Sequence, residues 1–170
     1  DRLSEIKKIF HTDYFRVFTH EDIIGVEVCG ALKNIAAIAT GVCDGLGYGD
    51  NAKASIITLG LMEMSTYGKF AGAKRATFYG LAGVGDLVAT CTSKHSRNRF
   101  VGEKIAEGKK FNDIKKEMHG MVAEGVHTTK AVYEFSKKNK LSMPLTEQVY
   151  RVLYENKDLK KAITDLLKIE

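Results

Sequence analysis

Lys33 and Asn34 are the only strongly polar residues between Glu27 and Thr40, in a stretch otherwise made of apolar and small side chains. Stripping water from an ammonium group is expensive, so a lysine is almost never fully buried without a partner. Lys33 therefore either lays its stem along a helix face with its head in water, or sits desolvated where it can pass a proton to and from a carbonyl oxygen. Apolar residues on every side of this helix bring the second reading level with the first.

Two further groups could act with it. In Gly80-Leu81-Ala82-Gly83-Val84-Gly85-Asp86-Leu87-Val88-Ala89-Thr90, Asp86 and Thr90 stand four apart and share a helix face. Asp86 is a plausible counter-ion for a buried lysine, although alone it reads as an ordinary helix cap. In Ser93-Lys94-His95-Ser96-Arg97-Asn98-Arg99, a hydroxyl, an amide and a guanidinium fork gather at a helix start. Such a group cradles phosphate well. It also reads as a solvated basic loop or a nucleic-acid patch. The other lysines are scattered among glutamates without interleaved aromatics, so the nucleic-acid reading weighs little.

Other candidates carry less. Gly45-x-Gly47-x-Gly49 and Gly83-x-Gly85 follow no strand and do not fit G-x-G-x-x-G, so they read as loops and helix ends rather than a dinucleotide fingerprint. His11, His20, His95, His119 and His127 show no metal spacing, and no metal is expected. Cys29, Cys43 and Cys91 are odd in number and lack C-x-x-C spacing, which points to buried reduced thiols in a cytosolic protein. Glu124-Gly125 reads as acidic charge at a helix start.

The elements that would position these residues are helices. The chain has 170 residues, 44% hydrophobic and 28% charged, with a net charge of +5 and a single proline. That suits one globular domain with a real core, and the mild basicity permits an anionic partner. No run approaches the ~20 apolar residues of a membrane span, and the polar start shows no signal peptide. Periodicity and caps predict helices over 1–10, 22–46, 51–70, 76–79, 97–106, 111–118, 126–138, 145–154 and 159–167, with a further segment at 86–91. Asp50 or Asn51 is expected to cap the third, and Val126, Ala131, Val132 and Phe135 to face inward. Tyr14 to Thr19 reads as a strand with no partner in the chain, which hints at a missing sheet.

The three polar groups, in this order, resemble the C-terminal domain of NAD(P)-dependent glycerol-3-phosphate dehydrogenases. The matching text is Gly30-Ala31-Leu32-Lys33-Asn34, then Asp44-Gly45-Leu46-Gly47-Tyr48-Gly49-Asp50-Asn51, then Gly80 to Leu87, then Thr90-Cys91-Thr92 with Ser96-Arg97-Asn98-Arg99, and Val122-Ala123-Glu124-Gly125. The resemblance covers nearly the whole chain. It implies an all-α, compact multi-helix domain of the 6-phosphogluconate-dehydrogenase-like type. Residues 1–20 would be the tail of a missing Rossmann domain, with the orphan strand as its last strand, and 21–170 the helical substrate-binding domain. It further implies that Lys33 is the catalytic acid/base, and that Asp86, Ser96, Arg97 and Asn98 bind glycerol phosphate. Asn34 and Thr90 would line the same pocket, and Arg97, Val122 and Glu124 would touch NAD or NADP. The family typically forms homodimers. The dinucleotide fingerprint and a second family lysine are absent from these residues, so the isolated chain is expected to be inactive.

Three alternatives stand beside this reading. One is another helical C-terminal domain, of a phosphogluconate-type enzyme, against which Ser96-Arg97-Asn98 argues. Another is a non-catalytic module that uses the Lys94–Arg99 loop for nucleic acid, which leaves a buried Lys33 unexplained. The last is a natural form of the enzyme without its nucleotide domain.

Overall fold

The computed structural model describes residues 2–118 and 120–168. Its axis is α2 (Ile23–Gly45), preceded by α1 (Arg2–Phe10). From Ile35 to Cys43 every residue of α2 is buried, and the helix packs against the elements described below on all sides. Its first turn differs: Ile23, Ile24 and Val26 are exposed, because no other described residue covers them. By length and composition α2 could cross a membrane, which corrects the expectation that no run approaches a span; half of its most apolar window is buried inside this fold.

Asp22 caps α2, accepting from the Gly25 N–H at 3.0 Å. The same carboxylate accepts from the Lys74 N–H at 2.8 Å and the Thr77 hydroxyl at 2.5 Å, which ties a 3₁₀ turn (Arg75–Tyr79) to the start of α2. The Thr77 hydroxyl, then the Gly25 N–H, hold the Asp22 carboxyl below the usual carboxylate range.

α3 (Asp50–Ala71) starts one residue earlier than expected, with Gly49 at the cap position and no side-chain cap. Asp50 pairs with Lys53 at 3.0 Å instead. The helix stops at Gly72, whose φ of 89° lies in the left-handed region. After the 3₁₀ turn, a π-helical turn (Leu81–Gly85) runs directly into α4 (Asp86–Thr92). Its Gly85 N–H donates to Gly80 O at 3.2 Å, five residues back. A Cβ at Gly83 would lie 2.2 Å from Phe78 O, so this glycine lets the wide turn seat against the backbone before it.

α5 (Arg97–Ala106) crosses α2 at backbone contact. A Cβ on Gly41 would fall 2.0 Å from Arg99 O, and one on Gly102 would fall 2.0 Å from Ile38 O. Asp44 fastens the crossing, accepting from Arg99 Nε at 2.7 Å with Lys53 of α3 at 3.2 Å. Burial pushes the Asp44 carboxyl up, but the two cations outweigh it and hold it low.

α6 (Phe111–Glu117) and α7 (Glu124–Asn139) follow. The inward row of α7 is Gly125, Val126, Thr129, Val132 and Ser136, so Ala131, expected inside, faces out. From Gly125 through Thr129 and Val132 to Ser136 the spacing is 4, 3 and 4, and Ala131 lies about 100° around the helix from Val132. Tyr133 stacks on Tyr150 with ring centroids 3.9 Å apart, joining α7 to α8 (Pro144–Glu155), which opens with Pro144 at its first position. α9 (Leu159–Leu166), capped by Asp158, closes the fold.

Glu63 of α3 is 5% exposed and receives the first amides of α8: Leu145 N–H at 2.5 Å, Thr146 N–H at 3.1 Å and the Thr146 hydroxyl at 2.6 Å. Burial outweighs these donors and pushes its carboxyl up to about 7.

Residues 11–22 carry no regular secondary structure. The strand expected at 14–19 pairs with nothing among the described residues, and an extended segment without a ladder partner has no sheet to join. Tyr14, Phe15 and Phe18 are correspondingly exposed.

Candidate functional site

The lone lysine of α2 meets the acid that opens α4. Lys33 Nζ lies 2.5 Å from Asp86 Oδ2, with the side chains 20% and 40% exposed. The ammonium thus stays reachable from solvent while a carboxylate holds it in one direction. The π-helical turn sets the start of α4, and with it Asp86, against α2, as such turns often do at functional sites. Thr90, one turn on, donates to Asp86 Oδ1 at 3.4 Å, a long contact.

Thr90 also lines an open cleft of about 380 Å³ between α4 and α5, together with Asn34, Ala89, Ser93, His95, Ser96, Arg97 and Asn98. Five of the residues singled out from the sequence therefore share one cavity, and Thr90 links it to the Lys33–Asp86 pair. The cleft floor is a one-way chain of donors. Gly125 N–H donates to Asn98 Oδ1 at 2.9 Å, Asn98 Nδ2 to Asn34 Oδ1 at 2.9 Å, and Asn34 Nδ2 to Gly30 O at 3.2 Å. This chain fixes which end of each amide faces which neighbour and leaves Asn98 one N–H for a ligand. It also draws α7 against α2 and α5: a Cβ at Gly125 would sit 2.6 Å from Asn98 Oδ1 and 2.8 Å from Asn34 O.

Ser96 caps α5, accepting from the Arg99 N–H at 3.3 Å, so its own proton remains available. Arg97 and Arg99 differ sharply. Arg99 is spent on Asp44 at 2.7 Å and on Glu103 at 2.6 Å. Arg97 is exposed at the first position of α5, and no other described residue engages its guanidinium. A free guanidinium beside helix-start N–H groups is suited to a phosphate.

Val122 and Glu124 do not line the cleft. Both are exposed, on the segment leading into α7 and at its first position, flanking the Gly125 that bonds Asn98. Of the other lining residues, Ser93 and His95 belong to the Ser93–Arg99 run without a role of their own in the sequence, and Ala89 has no polar group to mark it. Sequence reasoning missed Gly125 as a donor.

The cysteines offer no nucleophile. All are buried, burial pushing Cys29 and Cys91 up to about 11 and raising Cys43. Among the described residues no His, Cys, Asp and Glu converge as metal ligands, and His119 lies outside those residues.

Residues 22–164 match the family described as NAD-dependent glycerol-3-phosphate dehydrogenase C-terminus. A glycerol-3-phosphate dehydrogenase [NAD(P)+] of Chlorobium limicola is 54% identical over 164 residues, covering 96% of this chain and 49% of that protein. One from Lactococcus lactis subsp. cremoris is 52% identical over 170 residues, covering 100% of this chain and 49% of its own length. The solved glycerol-3-phosphate dehydrogenase of Coxiella burnetii superposes with a TM-score of 0.93 at 43% identity, covering 99% of this chain and 51% of that one. The enzyme from Saccharomyces cerevisiae superposes at 0.88 with 36% identity, covering 96% and 48%. The chain spans about half the length of the curated relatives it matches. It belongs to the family of NAD-dependent glycerol-3-phosphate dehydrogenase C-terminal domains.

Proposed function

We propose that the gene product carrying this chain interconverts sn-glycerol 3-phosphate and dihydroxyacetone phosphate, and that this chain supplies the proton-transfer and phosphate-binding half of the site. The observation that carries the reading is the Lys33–Asp86 pair joined through Thr90 to a cleft lined by Ser96, Arg97 and Asn98.

In reduction, the Lys33 ammonium gives a proton to the carbonyl oxygen on C2; in oxidation the neutral amine takes it back. Asp86 orients the amine and balances its charge. Arg97 grips the phosphate, with the Ser96 hydroxyl and the remaining Asn98 N–H as further donors, and Asn34 and Thr90 border the carbon chain. Binding energy at the phosphate, remote from C2, goes into holding C2 in register with Lys33. NAD or NADP, when bound, supplies or accepts the hydride at C2. Its edge would be met here by Arg97, Val122 and Glu124, and most of it would be held by the half of the protein outside this chain.

Residues 1–20 are read as the end of that nucleotide-binding half and 21–170 as the helical domain. The family match starting at residue 22 and the irregular segment 11–22 support this division. A homodimer in the cytoplasm, using a small phosphorylated substrate and no nucleic acid, completes the reading.

The test is oxidation of NADH or NADPH driven by dihydroxyacetone phosphate, using the longest natural product of the gene. Turnover is expected with dihydroxyacetone phosphate. A product that binds the dinucleotide but ignores this substrate would overturn the assignment.

A further inference from the structure

Among the described residues, Arg97 is the only one lining the cleft with a permanent positive charge. A phosphate monoester near neutral pH carries roughly −1.5 to −2, so one guanidinium leaves it under-compensated. The charges linked to the cleft through Thr90 do not help, because Lys33 and Asp86 already neutralise each other at 2.5 Å. His95 lines the same cleft, immediately before the Ser96 cap of α5. The backbone holds it there: the His95 N–H donates to Ser93 Oγ at 3.1 Å, and the Ser96 N–H to Ser93 O at 3.2 Å. Its imidazole, by contrast, makes no hydrogen bond or ion pair with any other described residue. A ring with a spare N–H, fixed at the rim of an anion cleft and otherwise unused, is placed to close on the anion.

We infer that His95 is a specificity-determining residue that donates to the substrate phosphate alongside Arg97, so that the cleft selects phosphorylated over neutral carbonyl substrates. The inference rests on the phosphate-binding reading above. It concerns affinity for the phosphate end and not proton transfer at C2.

Being exposed on a loop, His95 can be replaced without disturbing the core. In the full gene product, His95→Ala is expected to raise KM for dihydroxyacetone phosphate about tenfold, the usual worth of one hydrogen bond to a charged group, with kcat within about twofold. His95→Gln, which keeps a donor, restores most of the affinity; His95→Phe, which keeps only the ring, does not. The kcat/KM for unphosphorylated dihydroxyacetone is unchanged in all three. An unchanged KM in His95→Ala, or an equal loss on the unphosphorylated substrate, overturns the inference. If the wild type itself fails on dihydroxyacetone phosphate, the proposed reaction falls separately. Titration of inorganic phosphate against the His95 ring proton signals then decides: movement of those signals supports the contact, and their constancy overturns it.

Discussion

Two helices of this fold each carry a lone charged residue in an apolar stretch, and the two are used in opposite ways. Glu63 is the one charge between Lys53 and Lys69, and Lys33 the one between Glu27 and Asp44. Glu63 points into a dry junction where every donor it meets belongs to the start of α8. Lys33 meets a single carboxylate, remains one-fifth exposed, and is linked through Thr90 to an open cleft. The arginines of α5 repeat the contrast on a smaller scale, Arg99 closed in by Asp44 and Glu103, Arg97 left without a partner. A buried or half-buried charge is thus no sign of function by itself. Bonding capacity left unspent beside a cavity is what separates the candidate site from the scaffold.

The comparison breaks if the two kinds of charge can be exchanged in their effects. In the full gene product, and on the proposed reaction, Lys33→Ala should show the largest change, a fall in kcat of about 10²- to 10⁴-fold, the range for loss of a general acid–base. Its stability should shift by about 1 kcal/mol or less, because solvent reaches both side chains of this half-buried pair and screens it; equilibrium urea unfolding checks that half. Arg97→Ala should raise KM for dihydroxyacetone phosphate by about 10- to 100-fold, through loss of charge-assisted hydrogen bonds, with a smaller change in kcat. Arg99→Ala should reverse that profile, lowering the unfolding midpoint more than it changes KM.

Glu63 sharpens the other side of the contrast through pH. Its carboxyl is raised from an ordinary 4.5 to about 7 in the folded chain. The folded state therefore keeps this proton to higher pH than the unfolded state does, so Glu63's contribution to stability is full below about 4.5 and is lost as pH rises through about 7. Between pH 5 and pH 8 the urea midpoint of the wild type should fall further than that of Glu63→Gln, with kcat in the variant within about twofold of wild type. Equal pH slopes in the two proteins would place the proton elsewhere.

The order of helices was legible because apolar periodicity, Gly72, Ser96 and Pro144 mark their ends locally. The polar groups of the site were legible as residue types in sequence: Lys33 by its isolation, Ser96-Arg97-Asn98 by their clustering at a helix start. Contacts between distant elements were not. Glu63 reaches Leu145 and Thr146 across 82 and 83 residues, and Gly125 reaches Asn98 across 27, with no local pattern to announce either pairing. Glu63 nevertheless carried the same signal as Lys33, a single charge in an apolar helix. The exposed start of α2 and the unpaired segment 11–22 escaped for a related reason: burial and strand pairing depend on what lies opposite, which periodicity along one segment does not encode.

The most direct test of the contrast is the turnover of Lys33→Ala in the full gene product with dihydroxyacetone phosphate, measured on folded protein with and without added methylammonium as a stand-in for the missing amine. The expected result is turnover reduced at least a hundredfold, as for loss of a general acid, with partial recovery as methylammonium is raised. Retention of most of the wild-type turnover by Lys33→Ala would contradict the assignment of proton transfer to the lone lysine of α2.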